Sequence, residues 1–338
     1  MRIMTKMLLL VMTGVVTLLS CTKDITFSGK ETTPRLVIYS LARSGSPLVV
    51  QLSHSAFFLE GNTRNFYRIY PSRGKVELYV KYAEEPYLLT PREPAQTGVD
   101  DNGNPVYETL PVAPIHYLSD YVVQPGDHLR LVASFLDFAE AEAEIDVPVC
   151  PQLTVDRVEV KHPEYSHSDF VLNLSLTKGA DPEYYYRIRP KVSGQYTETD
   201  GKTVNLHVEE KIFSNDILFM STSYSFEDVM DLVLSDKSQL KQDQVFADSS
   251  IPYSPYSFQC SYGTTPPEYV QERGGSSRYY LIFTTISRDL YRYMTSYAAV
   301  RNATMLSQLT ETPVLYSNVK GGLGCFCAYT SVEIELGI

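Results

Sequence analysis

The 338-residue chain has no tryptophan, five cysteines and more acid than base. Without indole, a sugar-stacking surface lacks its strongest anchor. Five cysteines exclude a disulfide-dense scaffold, so the core must rest on packing. Lys and Arg number 29 against 40 Asp and Glu, a formal charge of −11. Such a chain has no electrostatic reason to bind nucleic acid and is repelled by bare anionic lipid. After Cys21 no stretch is apolar and long enough to span a bilayer, which takes about 20 residues. The catalytic signatures are missing too: no Gly-x-Ser-x-Gly elbow, no His-Glu-x-x-His and no phosphate-binding glycine loop. The sequence therefore predicts a non-catalytic protein with no cofactor.

At the N-terminus, Arg2 and Lys6 precede an uncharged apolar run from Met7 to Leu19. The run has the length of a secretory signal core. Leu18-Leu19-Ser20-Cys21 then reads as a lipobox, in which the Cys21 thiol accepts a diacylglycerol and Ser20 ends the signal. Residues 1–20 are accordingly a lipoprotein signal peptide and 21–33 a polar tether. Removing Arg2 and Lys6 leaves 27 basic against 40 acidic residues, −13, so attachment to the membrane has to be covalent. Lys23-Asp24 directly after the acylated cysteine resembles the surface-export signal of Bacteroidota lipoproteins. The expected address is the outer membrane, with surface display favoured over a periplasm-facing orientation.

From Pro34 onward the pattern is period-two. Leu36 and Ile38 alternate with Val37 and Tyr39, Leu48-Val50-Leu52 with Val49-Gln51-Ser53, and Arg43-Ser44-Gly45-Ser46 joins the two runs as a hairpin. Val76, Leu78 and Val80 form an apolar face against Lys75, Glu77, Tyr79 and Lys81. Residues 91–105 read as a loop, Pro125-Gly126-Asp127 as a turn, Leu129–Phe135 as a strand, and 141–147 as the strand closing a first sheet pair. Short alternating strands between turn signals argue for an all-β sandwich. Pro148-Val149-Cys150-Pro151 stops a strand and stiffens the chain, which divides it into an N-terminal β-sandwich domain (34–148) and a C-terminal β-rich domain (152–338). In the second, 153–160, 170–176, 184–192, 204–212 and 278–286 read as strands. Residues 214–277 read mainly as long loops, with a short helix beginning at Ser225. Leu290, Tyr293, Met294, Tyr297 and Arg301 form one helical stripe capped by Ser287, and a last strand ends the chain.

Two weak metal patterns are present. His162 and His167 flank Glu164, but Pro163 and the five-residue spacing keep them off one regular element. Asp100, Asn102 and Asn104 alternate as calcium ligands do, yet Pro105 stands where such a loop needs glycine. No metal site is expected. Cys325 and Cys327 share one strand face at a separation too wide for an easy disulfide. Either one of them bridges to Cys260 or Cys150, or the four are free thiols.

Several of these stretches resemble one family, the Bacteroidota lipoproteins grouped as domain of unknown function 4249. The resemblance runs through Cys21-Thr22-Lys23-Asp24, Arg35–Tyr39, Leu48–Ser53, and Asp181-Pro182 with Tyr184-Tyr185-Tyr186. It is most specific in the tail: Ile286-Ser287, Tyr291, Tyr293, Pro313-Val314, Ser317-Asn318-Val319 and Gly321-Gly322-Leu323-Gly324. Cys325 and Cys327 are not part of the pattern. The resemblance implies β-sandwich, immunoglobulin-like architecture, so the fold expected is two such domains with one or two short helices in the second. It also implies an outer-membrane address, companionship with a TonB-dependent transporter, and no catalytic residues. The expected function is a binding or accessory partner of such a transporter, its ligand unspecified; the alternative is a surface adhesin or fimbria-like subunit. The partner contact is expected on the loop from Asp236 to Ser277, through Tyr253, Tyr256, Tyr262 and Tyr269. Replacing Cys21 with Ala should abolish acylation, leaving the precursor uncleaved or released from the membrane. Metabolic labelling with a fatty-acid analogue checks this, and equal labelling of the variant contradicts it.

Overall fold

The computed structural model describes residues 33–55, 74–92, 96–99, 105–107, 114–136, 138–161, 168–181, 183–198, 201–210, 212–219, 223–224, 243–264, 274–301 and 314–337. The lipobox, the tether with Lys23 and Asp24, the short helix expected at Ser225, and both weak metal patterns lie outside these residues, apart from Pro105. Among the described residues the first half supplies β1 (Leu36–Arg43), β2 (Pro47–His54), β3 (Gly74–Val80), β4 (Tyr87–Leu88), β5 (Thr90–Pro91), β6 (Gln96–Val99), β7 (Pro105–Tyr107), β8 (Ile115–Val122), β9 (His128–Phe135) and β10 (Ala141–Asp146). The second supplies β11 (Leu153–Lys161), β12 (Ser168–Leu176), β13 (Tyr185–Thr197), β14 (Thr203–Glu209), β15 (Ser223–Tyr224), β16 (Asp243–Ala247), β17 (Tyr256–Thr264), β18 (Ser276–Ile286), the helix α1 (Arg288–Arg301) and β19 (Leu323–Glu335). Among the described residues the fold is all-β apart from this helix and short 3-10 turns. No helix among the described residues is long and apolar enough to cross a membrane.

One ten-stranded sheet runs through both halves, in the order β15-β16-β13-β18-β19-β1-β2-β8-β5, with β14 beside β13. Its centre is the parallel pairing of the first strand with the last, from Val37 opposite Leu323 to Arg43 opposite Tyr329. A four-stranded sheet, β10-β9-β3-β4, and a three-stranded one, β11-β12-β17, pack on the same face of it. The alternation sets this up. Leu36 and Ile38 of β1, Leu48, Val50 and Leu52 of β2, and Phe326 and Ala328 of β19 meet Val76, Leu78, Leu129, Leu131 and Ala143 in the first core. Tyr186, Ile188, Leu281 and Phe283 meet Phe170, Leu172, Leu174, Phe258 and Tyr262 in the second. Each such side chain, fully buried, contributes about 1.5–3 kcal/mol. Residues Pro34–Ile338 form one compact unit.

Pro148–Pro151 separates the two cores along the chain, and its backbone is fastened to the shared sheet. The Thr330 hydroxyl donates to the Pro148 carbonyl at 2.6 Å, and the Cys150 thiol to the Thr330 carbonyl at 3.3 Å. The Thr285 hydroxyl donates to the Cys150 sulfur at 3.3 Å, and both threonines are buried.

Over 214–277 and 91–105 the loop expectation is corrected. β16 and β17 lie in the first stretch, and β6 pairs with β7 in the second. β17 was hidden because its apolar positions, Tyr256, Phe258, Cys260 and Tyr262, alternate with Ser and Gln in a Pro- and Ser-rich neighbourhood. The helix stripe is as expected, and the Leu290 amide donates to the Ser287 hydroxyl at 3.3 Å. All four described cysteines are free.

The glycine-rich tail is a requirement of the central pairing. A Cβ on Gly324, at φ +101°, would lie 1.9 Å from the Ile38 carbonyl oxygen, and one on Gly321, at φ +72°, 2.1 Å from that of Glu140. Asn318 then pairs with the edge of β19 that β18 has not yet reached: its side chain donates to the Phe326 carbonyl at 2.7 Å and accepts from the Phe326 amide at 2.9 Å. Gly324→Ala should therefore destabilise the fold by more than about 3 kcal/mol. Gly45→Ala, at φ +80° with open space around it, should cost only about 1 kcal/mol. Urea denaturation of the two variants measures the difference; equal losses would dismiss the steric account.

Candidate functional site

The tyrosines expected to form a contact loop are dispersed by the fold. Tyr256 and Tyr262 are core residues of β17, 8 % and 1 % exposed, so they offer no contact surface. Tyr262 stacks on Phe170 with ring centroids 4.7 Å apart, and the Tyr256 hydroxyl donates to Asp216 at 3.0 Å. Tyr253 is exposed and lies edge-on to Tyr256. Tyr269 lies outside the described residues. The structure thus leaves one of the four on the described surface.

A different aromatic is presented more openly. β3 ends at Val80, and the chain reverses through Lys81 and Tyr82, both left-handed at φ 53° and 62°. The Ala83 amide closes the turn on the Val80 carbonyl at 3.0 Å. Two consecutive non-glycine residues in this region cost about 1–2 kcal/mol each, so contacts around the turn must offset the strain. The Lys81 amide donates to the His128 carbonyl at 2.8 Å. The Lys81 ammonium lies 3.1 Å from an oxygen of Asp127, whose side chain is fully buried. The other Asp127 oxygen accepts from the Tyr121 hydroxyl at 2.6 Å and the Gln124 amide at 2.7 Å. Burial and this carboxylate together push the Tyr121 phenol well above its ordinary range. The Tyr82 ring stacks on His128 at 4.4 Å, and His128 is held in turn by Asp146 at 2.8 Å.

The result is a fixed aromatic platform, with Tyr82 82 % exposed, supported from behind by a buried carboxylate. Tyr87, Leu88, Leu118 and Val122 are exposed along the neighbouring strands β4 and β8. The arrangement can make contact; it carries no nucleophile and base aligned on one another. The sequence held one signal for it, the Pro125-Gly126-Asp127 turn. Nothing in Lys81-Tyr82 itself, lacking Gly or Asn, announced a reversal.

The opposite face of the large sheet carries a second polar group, and there the charges are used up among themselves. Arg189 pairs with Glu209 at 2.6 Å, Lys191 with Glu333 at 2.8 Å, and Thr284 with Ser331 at 2.9 Å. These contacts tie β14, β13, β18 and β19 together. Among the described residues no cluster of three or more His, Cys, Asp or Glu is placed to hold a metal ion.

The family model described as Domain of unknown function (DUF4249) matches residues 22–335. The chain belongs to this family. The residues that carried the resemblance now have structural work assigned to them. In Asp181-Pro182-Glu183-Tyr184-Tyr185-Tyr186, the Tyr186 hydroxyl and the Gly179 amide both donate to buried Asp248, at 2.8 and 2.7 Å, while the Tyr185 ring stacks on Tyr291 of α1. In the family's tail, Asn318 and the glycines seat β19. No curated protein matches the chain. The crystal structure of bovine butyrophilin is similar over 91 % of this chain and 100 % of that one, at 9 % identity and a TM-score of 0.19, values too low to support an argument.

Asp127→Ala should cost about 3 kcal/mol, because it removes a fully buried carboxylate and leaves the Tyr121 hydroxyl and the Gln124 turn amide without their acceptor. The same substitution at exposed Asp146 should cost under about 1 kcal/mol. Thermal unfolding of the two variants gives the comparison, and a mild effect at Asp127 would show that the turn is held by other means.

Proposed function

We propose that this family member is a non-catalytic, lipid-anchored outer-membrane protein that serves as a binding or accessory partner of a TonB-dependent transporter. The lipobox at Leu18–Cys21 supports the anchor, and Lys23-Asp24 supports display at the cell surface. Twelve tether residues, 22–33, reach at most about 40 Å when extended, so the folded body stays beside the bilayer. The two cores built on one face of a shared sheet support reading the body as two immunoglobulin-like sandwich halves, 34–148 and 152–338.

The observation that carries the contact role is Tyr82. A large aromatic held at 82 % exposure by a strained turn, whose lysine pairs with a buried carboxylate, spends folding stability on presentation. Rigid tyrosines with little entropy left to lose are the residues that anchor interfaces.

Tyr82→Ser in the native lipoprotein should leave the melting temperature and membrane attachment unchanged. It should lower transporter recovery on co-purification from detergent-solubilised outer membrane by at least about tenfold, the equivalent of about 1.4 kcal/mol. Undiminished recovery would remove Tyr82 from the interface, and absence of any transporter from the wild-type eluate would reject the partner itself.

A further inference from the structure

Cys325 and Cys327 lie on the outer face of β19, beneath α1, at 2 % and 3 % exposure. Both are free. Their backbone is clamped on each side. Tyr39 and Leu41 of β1 are their partners on one edge, and Asn318 grips Phe326, the residue between them, on the other. Residues two apart on a strand are separated by about 6.5–7 Å, at the outer limit of disulfide Cα spacing. The clamp keeps the strand from bending to bring them closer.

The two thiols share one face of the strand and one buried cluster beneath α1. A spacing too wide for an S–S bond suits a bridging ion: two sulfur–metal bonds of about 2.3 Å place sulfurs about 4.6 Å apart. The surroundings add soft and polar donors. Met294 of α1 belongs to the same buried cluster. The Tyr293 hydroxyl is fully buried and lies against Tyr39 without a well-aligned hydrogen bond, within electrostatic reach of both thiols. Among the described residues no third His, Cys, Asp or Glu completes a set for a four-coordinate ion, which leaves thiophilic ions content with two sulfurs.

We propose that Cys325 and Cys327 together bind one monovalent thiophilic ion of the Cu(I) or Ag(I) class, with the Met294 thioether as a third soft donor. Binding exchanges two S–H bonds for two S–metal bonds and releases two protons; no electron moves. One net negative charge remains in the site, and the Tyr293 and Tyr39 hydroxyls are the donors that meet it. The proposal does not depend on the transporter reading.

The test is anaerobic titration of the detergent-solubilised lipoprotein with Cu(I) against a chromogenic Cu(I) chelator. One tightly held ion per chain is expected, with two protons released per ion in weakly buffered solution and X-ray absorption showing at least two sulfur neighbours. The Cys150→Ser/Cys260→Ser variant should keep that ion, and Cys325→Ser/Cys327→Ser should bind at least about 100-fold more weakly. Retention of the ion by the second variant, its loss from the first, or a coordination shell of oxygen and nitrogen alone would overturn the proposal. The last measurement is made on wild type, so it holds even where the Cys325→Ser/Cys327→Ser chain fails to fold.

Discussion

The structure depends on seating the last strand beside the first. β1 and β19 run parallel through seven residue pairs at the middle of the largest sheet, and both cores and the helix layer are arranged about that seam. A parallel neighbour cannot be reached by a hairpin; the chain has to travel away and return. Here it travels through nearly all of both halves before closing. The closing contact is also the tightest, since the backbone of β19 passes where a Cβ on Gly324 would overlap the Ile38 carbonyl. The family's glycine-rich tail is therefore a steric condition of the topology. Because loop closure must be completed before this pairing can stabilise anything, the two halves are held as one unit only when the chain is complete.

Tyrosine replaces tryptophan and disulfides in a repeated way. Among the described residues a phenol donates to a carboxylate at four places: Tyr121 to Asp127, Tyr186 to Asp248, Tyr256 to Asp216 and Tyr316 to Asp289. In each, the ring fills apolar space while the hydroxyl fixes an acid next to a turn, a 3-10 segment or the helix start. Burial and the paired acid raise each of these phenols, Tyr316 to about 12, so the pairs remain intact across the physiological range. Asp127 and Asp248 are buried and each accepts from several donors, so they are costly to disrupt and orient the loops around them.

The two sheet faces divide the labour. One is apolar over both cores, with Thr285 and Thr330 buried at the seam between them, and is covered by the two smaller sheets. The other is mixed: α1 with its tyrosines over the middle, Cys325 and Cys327 beneath it, and paired charges from Arg189 to Glu333 beside it. The thiols and the charges lie on the same face because Cys325, Cys327, Tyr329, Ser331 and Glu333 share one parity of a single strand.

The sequence by itself determined the strand-rich class, most strands of the first half, the α1 stripe with its Ser287 cap, the break at Pro148–Pro151 and the family, because period-two and 3.6-residue patterns and local turn chemistry are properties of neighbouring residues. It left β17 unseen, since a strand embedded among Pro, Ser and Tyr carries a weak local signal, and so it assigned Tyr256 and Tyr262 to a surface they do not reach. The tertiary structure alone decided what is non-local: that both halves share one sheet, that the glycines are there to admit β1, and that Asp127 restrains Lys81 from 46 positions away. The exposed Tyr82 platform belongs with these, because its conformation is held by partners the chain meets only after folding. Alternation fixes which side of a strand a residue faces; only the packed structure fixes what it faces.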